Sequence, residues 1–265
     1  NANDMQTGRD KNLSTAMLDR LRLDPARLEH IAKSIDDVIL LPDPVGKVFN
    51  MHATPSGIEI GRMRIPLGLI LIIYESRPNV TADAATLCLK SGNACILRGG
   101  SESWHSNRAI ANVFAQALDA EGLPQAAVTL VPTTDRQAML QLLAMDEVID
   151  LAIPRGGEQL IRYVAEHARV PVVRHYKGIC HVYVDAEADF DMAEKIVINA
   201  KVQRPGVCNA METLLVDRAC ASTFLPQIIT ALTEKHVEIR GDDNVRRVNP
   251  DVHAARTEDF DKEYL

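Results

Sequence analysis

"LGLILIIYESRPNVTADAATLCLKSGNACILRGG", residues 67–100, is the stretch that decides the fold. It begins with an apolar run of strand length, passes through a polar loop into apolar residues at helical spacing, and ends in a second apolar run. A strand, a helix and a strand in this order are typical of the right-handed crossover that joins neighbouring parallel strands. The stretch therefore predicts a mostly parallel sheet with helices on its faces.

The same alternation continues toward the C-terminus. Further apolar runs, separated by helical segments, are ACILR (94–98), AVTLV (127–131), VIDLAI (148–153) and PVVRH (171–175). A second series of predicted strands comprises HVYVD (181–185), METLLVD (211–217) and HVEIR (236–240). The sequence thus predicts two α/β units joined near HYKGIC, residues 175–180.

The first 65 residues have a different pattern. Residues 15–24 and 25–39 carry apolar side chains three and four positions apart, which predicts helices. "VFNMHATPSGIEIGRMRI", residues 48–65, predicts two strands around a Pro-Ser-Gly turn. The exposed edge of such a hairpin favours self-association.

Composition and charge argue against several classes of protein. A net charge of −7 and only 4% aromatic residues provide neither the basic field nor the stacking side chains of a nucleic-acid-binding protein. No apolar run is long enough to cross a bilayer, and the first ten residues show no secretion signal. We therefore expect a cytoplasmic protein with no nucleic-acid or membrane partner.

Cysteine and histidine spacing indicates no metal site. The five cysteines form no CxxC pair and are odd in number, which fits a reducing compartment better than a disulfide framework. The eight histidines lack the spacing of zinc ligands. No metal is predicted.

Two similar loops each follow a predicted strand. ILRGGSES (96–103) and AIPRGGEQL (152–160) both place Arg-Gly-Gly between a strand and a helix. Taken alone, each is better explained as a tight turn with an exposed arginine. Together on one sheet they favour a nucleotide site, because glycines admit a ligand to backbone N–H groups and Arg98 and Arg155 add positive charge.

Two further side chains have both a structural and a chemical interpretation. Cys208, in "KVQRPGVCNA" (201–210), is on residue type alone more simply a buried packing thiol than a nucleophile. Asn79 follows a predicted strand, and its simpler role is to cap the next helix. A side-chain amide at that position is also suited to donating a hydrogen bond to an oxyanion.

Four segments together resemble one family. They are YESRPNVTADAATLCLKSGNACILRGG (74–100), IDLAIPRGG (149–157), HYKGICHVYVD (175–185) and INAKVQRPGVCNAMETLLV (198–216). They resemble gamma-glutamyl phosphate reductase, a branch of the aldehyde dehydrogenase superfamily, and the likeness runs along essentially the whole chain. The resemblance implies an α/β fold, with a Rossmann-type cofactor domain and a second, incomplete α/β catalytic domain.

The resemblance also implies a division of the chain. Residues 1–43 and 66–178 would form the NADP-binding domain, residues 44–65 a hairpin of the oligomerisation lobe, and residues 179–265 part of the catalytic domain. Members of this family extend further at both ends, so the chain is expected to be truncated at both. A homo-oligomer is expected, and glutamate 5-kinase is a further candidate partner.

The resemblance assigns the chemistry to Cys208 and Asn79. Cys208 takes the place of the catalytic nucleophile, and Asn79 that of the oxyanion-binding amide. Arg77, Lys201 and Arg204 are predicted to bind substrate. The last two would also lower the pKa of a nearby thiol, although an ordinary solvated pair explains them equally well.

The resemblance assigns the cofactor, NADPH or NADP, to a second set of residues. Arg98 and Gly99 are predicted near the adenosine ribose, and Gly156 and Gly157 near the pyrophosphate. Glu263, in the final "KEYL", takes the place of the glutamate that holds the nicotinamide ribose. Residues alone do not separate NADPH from NADH, and the preference for NADPH comes from the family.

The implied reaction is the reduction of L-glutamyl 5-phosphate to L-glutamate 5-semialdehyde in proline biosynthesis. It would proceed through a thioester on Cys208 with release of phosphate. Residues 174–185, "RHYKGICHVYVD", contain no glutamate to activate water, which favours this reaction over hydrolytic aldehyde oxidation. The alternatives are the reductase half of a bifunctional kinase–reductase and a non-catalytic nucleotide-binding fragment.

Overall fold

The computed structural model describes residues 1–174, 178–205 and 207–264. Within these ranges the helices are α1 (Ala2–Asp10), α2 (Thr15–Leu21), α3 (Pro25–Leu40), α4 (Asn79–Lys90), α5 (Trp104–Ala120), α6 (Arg136–Leu143), α7 (Glu158–His167), α8 (Phe190–Val202), α9 (Ala221–Glu234) and α10 (Asp243–Val248). The strands are β1 (Val48–Ala53), β2 (Glu59–Met63), β3 (Leu69–Tyr74), β4 (Ala94–Gly99), β5 (Val128–Leu130), β6 (Leu151–Arg155), β7 (Cys180–Val184), β8 (Met211–Val216), β9 (Arg240–Gly241) and β10 (His253–Ala254). None of the helices in these ranges is both long and apolar enough to cross a membrane.

The chain divides into two compact units, residues 1–174 and residues 175–265. The boundary falls at the start of the predicted junction, of which residues 175–177 lie outside the described residues. The functions assigned above to residues 1–43 with 66–178 and to residues 179–265 stay predictions.

The first unit is built on a parallel sheet with the strand order β5-β4-β3-β6. Strand β3 is central, and its alternate side chains enter two different cores. Ile70 and Ile72 pack with residues of α4 and α5, whereas Leu71 and Ile73 pack with residues of α6 and α7. The predicted α/β fold is confirmed, because a strand covered on both faces needs the near-continuous apolar run of this segment.

Two side chains fix where β3 begins. The Oδ1 atom of Asn93 accepts the backbone N–H groups of Leu67 at 2.6 Å and Gly68 at 2.9 Å. The Oδ2 atom of Asp150 accepts that of Leu69 at 2.7 Å. Gly68 has φ of +122°, and a Cβ there would lie 2.1 Å from Asp150 Oδ2, so this turn requires glycine.

The first helix docks through a buried carboxylate. Asp4 is 1% exposed, and it accepts the backbone N–H groups of His105 at 3.0 Å and Ser106 at 2.7 Å. These N–H groups belong to the first turn of α5, where a carboxylate satisfies donors that have no partner within the helix. Helix α1 therefore packs on α5. The two predicted helices that follow it are confirmed as α2 and α3.

The hairpin is confirmed by the antiparallel pair β1–β2. Its side chains are almost all exposed, including Met51, Ile60 and Met63. Its place in an oligomerisation lobe stays a prediction.

Two predicted strands are wrong in extent. PVVRH forms only one bridge, between Val172 and Ala152, and its last residue lies outside the described residues. HVEIR contributes only Arg240 to a strand, and its first residue, His236, with φ of 60°, lies in the turn that follows α9. Val237 and Ile239 nevertheless pack against the core of the second unit. Their apolar spacing reflects burial, and only the carbonyl of Ile239 takes part in the pairing, by accepting the N–H of His253 at 3.1 Å.

The second unit contains two parallel strand pairs, β7 with β8 and β9 with β10. Its core lies between β7, β8 and the helices α8 and α9, around Val197, Phe224 and Ile228. Strand β8 follows α8 after a loop of eight residues, 203–210, of which Gly206 lies outside the described residues.

A buried hydrogen-bond chain lies at the carboxyl end of β3. The hydroxyl oxygens of Tyr74 and Thr81 are 2.8 Å apart, Thr81 donates to Asn107, and Asn107 donates to Ser103 at 3.0 Å. All four side chains are buried. Burial raises the pKa of Tyr74 to about 12, while the hydrogen bond with Thr81 opposes this rise.

This raised pKa predicts a loss of stability at alkaline pH. Because the unfolded tyrosine ionises near 10 and the folded one near 12, the contribution is present below pH 10 and lost as the pH rises through this window. Urea unfolding of the wild type and of Tyr74→Phe should show their stability difference shrinking by about 1.4 kcal/mol between pH 9 and pH 11. A pH-independent difference would contradict the assigned burial.

Candidate active site

The register of the sheet aligns three loops at one edge. Tyr74 pairs with Gly99 on one side and with Arg155 on the other, so β3, β4 and β6 end at the same level. The crossovers after β3 and β6 lead to opposite sides of the sheet, because β4 and β6 flank β3. Ligands of open α/β sheets bind at such a switch point, outside the carboxyl ends of the strands.

The carboxylate of Glu75, directly after β3, bonds the turn that follows β6 across this switch point. The N–H of Gly157 donates to Oε2 of Glu75 at 2.9 Å, and a Cβ on Gly156 would lie only 2.7 Å from the Glu75 carboxylate. Helix α7 begins at the next residue, so Glu75 lies where a helix N-terminus favours an anion. The sequence analysis did not identify Glu75. Its position directly after a buried strand was visible, but its partner depends on the pairing of β3 with β6.

The guanidinium of Arg98 has one nitrogen that donates a hydrogen bond and one buried nitrogen that has no partner among the described residues. Its Nη2 donates to the carbonyl of Thr134 at 2.7 Å. Its Nε is buried and has no hydrogen-bond partner among the residues that the structure describes. Burial is the main cause that lowers the pKa of Arg98; Arg136 lowers it further, whereas Glu102 and Asp135 raise it. The orphaned Nε is a donor that a ligand oxygen would satisfy.

A cavity of about 340 Å³ is lined by Thr134, whose carbonyl accepts a hydrogen bond from the guanidinium of Arg98; Arg98 itself is not among the lining residues. The remaining lining residues are Asp4, Thr7, Ser101, Trp104, His105, Pro132 and Thr133. The cavity combines one aromatic side chain with several hydroxyl groups, a lining suited to a polar ring-containing ligand.

Gly99 has a packing role that explains it without a ligand. A Cβ at this position would lie 2.1 Å from Nδ2 of Asn107 and 3.2 Å from the ring of Tyr74. Glycine is therefore required for β4 to pass over the buried hydrogen-bond chain. Contact of Gly99 with a cofactor stays a prediction.

Asn79 does not cap the helix, so the capping interpretation is wrong. It is the first residue of α4, and its Nδ2 donates to Oδ2 of Asp83 at 3.0 Å. This bond uses one of the two N–H groups of a half-buried amide. Arg77 lies half-buried in the loop that precedes α4.

In the second unit, Cys208 is exposed in the loop between α8 and β8. All five cysteines are described; Cys180 is half-buried and the other three are buried, as expected for packing residues. The carbonyl of Cys208 accepts the Cys180 thiol, with a donor–acceptor distance of 3.4 Å. A Cβ on Gly178 would lie 2.9 Å from the same carbonyl oxygen. Gly178 and Cys180 therefore both contact the loop of residues 203–210 that carries Cys208, here called the cysteine loop. Neither was predicted from the sequence.

Lys201 has protein partners, and its predicted contact with substrate stays a prediction. Its Nζ lies 3.2 Å from Oε2 of Glu212 and donates to the carbonyl of Tyr264 at 3.2 Å. Arg204, by contrast, is exposed, and Glu263 is half-buried beside Tyr264. No group of three or more His, Cys, Asp or Glu side chains in the described ranges is arranged to hold a metal ion.

The chain is similar in sequence and structure to known proteins over most of its length. The model of the aldehyde dehydrogenase family matches residues 41–263. Gamma-glutamyl phosphate reductase of Geobacter metallireducens is 56% identical over all 265 residues, which cover 63% of that protein. The crystal structure of gamma-glutamyl phosphate reductase from Thermotoga maritima matches with a TM-score of 0.90 at 42% identity, over 98% of this chain and 63% of that one.

A more distant match is the crystal structure of gamma-glutamyl phosphate reductase from Saccharomyces cerevisiae. It has a TM-score of 0.59 at 35% identity, over 92% of this chain and 61% of that one. The chain thus spans somewhat less than two thirds of the length of these relatives. The resemblance drawn from the sequence is confirmed, and this chain belongs to the aldehyde dehydrogenase family.

Proposed function

We propose that this chain carries the nucleophile and cofactor-binding residues of an NADP-dependent reductase acting on L-glutamyl 5-phosphate in proline biosynthesis. The observation that carries the proposal is Cys208, an exposed cysteine on a supported loop. The proposed substrate comes from relatives of this chain that are named gamma-glutamyl phosphate reductase. We propose that the protein acts in the cytoplasm.

The proposed chemistry begins at the thiolate of Cys208. Its sulfur attacks the γ-carbonyl carbon of the acyl phosphate, the carbon–oxygen bond to phosphate breaks, and a thioester forms as inorganic phosphate leaves. The N–H of the Asn79 amide that does not bond Asp83 is proposed to stabilise the oxyanion of this step. When bound, reduced nicotinamide would supply a hydride to the thioester carbon, and the sulfur of Cys208 would leave as thiolate to give the aldehyde.

The residues of the first unit fit an anionic dinucleotide. The orphaned Nε of Arg98 needs an acceptor, and Gly156 and Gly157 expose a backbone turn at the start of α7. We propose that Arg98 and Gly99 hold the adenosine ribose and its phosphate, and that the glycine turn holds the pyrophosphate. Glu263 would accept the hydroxyl groups of the nicotinamide ribose.

The remaining roles are proposed from the positive charge of two arginines and from the exposed apolar side chains of the hairpin. Arg77 and Arg204 are proposed to bind the phosphate and carboxylate of the substrate. Residues 44–65, with exposed apolar side chains on the hairpin, are proposed to join copies of the chain into a homo-oligomer. Glutamate 5-kinase, which would make the unstable acyl phosphate, is a proposed partner.

The direct test is the reverse reaction, the phosphate-dependent reduction of NADP by glutamate 5-semialdehyde. It is to be measured in this chain and in any longer protein that the gene encodes. Cys208→Ser should lower kcat by about 10³-fold or more, because an alcohol at this site is a far weaker nucleophile. Cys220→Ser, at the start of α9, is the control and should retain activity.

Two outcomes would overturn the proposal. Activity that does not need phosphate would indicate a hydrolytic dehydrogenase. Cys208→Ser with wild-type activity would show that the exposed thiol of Cys208 is not the nucleophile.

Glu75 is expected to compete with the cofactor for the N–H of Gly157. Glu75→Gln removes the negative charge at the proposed pyrophosphate site and should tighten NADPH binding by about three- to tenfold. Fluorescence titration with NADPH measures this, with Glu121→Gln, at the end of α5, as a distant control. Weaker binding in Glu75→Gln would show that the carboxylate helps to form the site.

Gly178→Ala should impair the cysteine loop. The new methyl group would lie 2.9 Å from the carbonyl oxygen of Cys208, so this loop must shift. We expect kcat to fall by about tenfold or more, since small displacements of a reacting group are costly. The KM for NADP should stay within about twofold. An unchanged kcat would show that the position of this loop does not limit the reaction.

A further inference from the structure

One largely buried ion pair holds the backbone N–H and the backbone carbonyl of Tyr264. Oε2 of Glu212 accepts the backbone N–H of Tyr264 at 3.1 Å, and Nζ of Lys201 donates to its carbonyl at 3.2 Å. Lys201 and Glu212 are themselves 3.2 Å apart, and their side chains are only 16% and 3% exposed. They lie in the last turn of α8 and the second position of β8, so the core of the second unit fixes them.

The side chain of Tyr264 is held as well. Its hydroxyl donates to Oδ1 of Asp259 and accepts from Nη1 of Arg240 at 3.1 Å. The guanidinium of Arg240 lies 5.0 Å from the centre of the ring, and the ammonium of Lys262 lies 4.8 Å from it. These are cation–π distances. Tyr264 is therefore held at its backbone, its ring and its hydroxyl.

Glu263, directly before this anchored residue, is in the opposite situation. Within the described part of the chain, its carboxylate makes no hydrogen bond or ion pair, although the residue is half-buried. A carboxylate that has no protein partner but extends from a fixed backbone is typical of a ligand-binding side chain. The fixed backbone limits the positions that the carboxylate can reach.

We propose that Lys201 and Glu212 are positioning residues for Glu263. Their ion pair fixes the peptide groups on both sides of Tyr264 and thereby aims the Glu263 carboxylate at the ribose hydroxyls of a nicotinamide dinucleotide. The inference rests on the proposed function, in which Glu263 binds that ribose. It also gives Lys201 a role other than the predicted contact with substrate.

The energetics of buried ion pairs support a geometric role. Removing two charges from water costs about as much as their attraction returns, so such a pair adds little net stability. Here the same two charged groups also hold a backbone N–H and a backbone carbonyl. A carboxylate and an ammonium are the strong acceptor and the strong donor for those two groups.

The test uses Glu212→Gln in the 265-residue chain, with two measurements. The dissociation constant for NADPH should rise by about tenfold, because Glu263 loses its fixed position. Amide hydrogen exchange of residues 257–264 should become faster, with the Tyr264 amide at least about tenfold faster. Asp217→Asn, directly after β8 and bonded to Tyr183, is the matched control and should change neither measurement.

Glu263→Gln separates this inference from the proposed function. It should weaken NADPH binding without changing amide exchange. If Glu263→Gln weakens binding and Glu212→Gln does not, the positioning role is overturned and the proposed function stands. If Glu263→Gln leaves the NADPH affinity unchanged, the proposed role of Glu263 fails and the inference fails with it.

A second variant covers the case in which Glu212→Gln does not fold. Lys201→Met with Glu212→Leu replaces the pair by apolar side chains, which a buried site tolerates, and it removes both contacts to Tyr264. The double variant should unfold at the same urea concentration as the wild type but bind NADPH about tenfold more weakly. Wild-type affinity in a folded double variant would overturn the inference.

Discussion

The parallel register of β3 with its two neighbours is the constraint on which the first unit depends. Because Gly99, Tyr74 and Arg155 lie in one row, the loop that carries Glu75 and the glycine turn begin at the same level as the end of β4, which carries Arg98. A register shift of one residue would reverse every side chain of β3 between the two cores. The buried hydrogen-bond chain from Tyr74 to Ser103 fills the space beneath the β4 side of that edge. The same packing that stabilises the sheet therefore also assembles the proposed cofactor site.

In the second unit, the proposed nucleophile and the ion pair proposed to position Glu263 all lie in the short segment from Lys201 to Glu212. Between Lys201 and Glu212 the chain leaves α8, forms the loop with Cys208, and enters β8. The two ends of this connection meet in a buried ion pair, while the exposed cysteine lies between them. Since Lys201 and Glu212 also hold Tyr264, one connection would carry the nucleophile and position a cofactor ligand.

Local patterns predicted the elements, and tertiary pairing decided what the sequence analysis missed. Strand–helix alternation and the hairpin at residues 48–65 are confirmed, because both depend on nearby residues. PVVRH and HVEIR were assigned as full strands from their apolar spacing, but each pairs with a neighbouring strand over only one to a few residues. Glu75, Cys180 and Glu212 were missed, since their partners are 82, 28 and 11 positions away in sequence. No local pattern encodes such contacts.

The placement of the cofactor at the carboxyl edge of the four-stranded sheet can be tested most directly by NMR. Backbone amide signals of the isotope-labelled chain would be followed during a titration with NADPH. We predict saturable shifts concentrated in residues 75–79, 98–103 and 156–160, with the amide of Gly157 among the largest because it must exchange the Glu75 carboxylate for a ligand oxygen. Saturable shifts confined to other parts of the chain, or none at millimolar NADPH, would contradict a dinucleotide site at this edge.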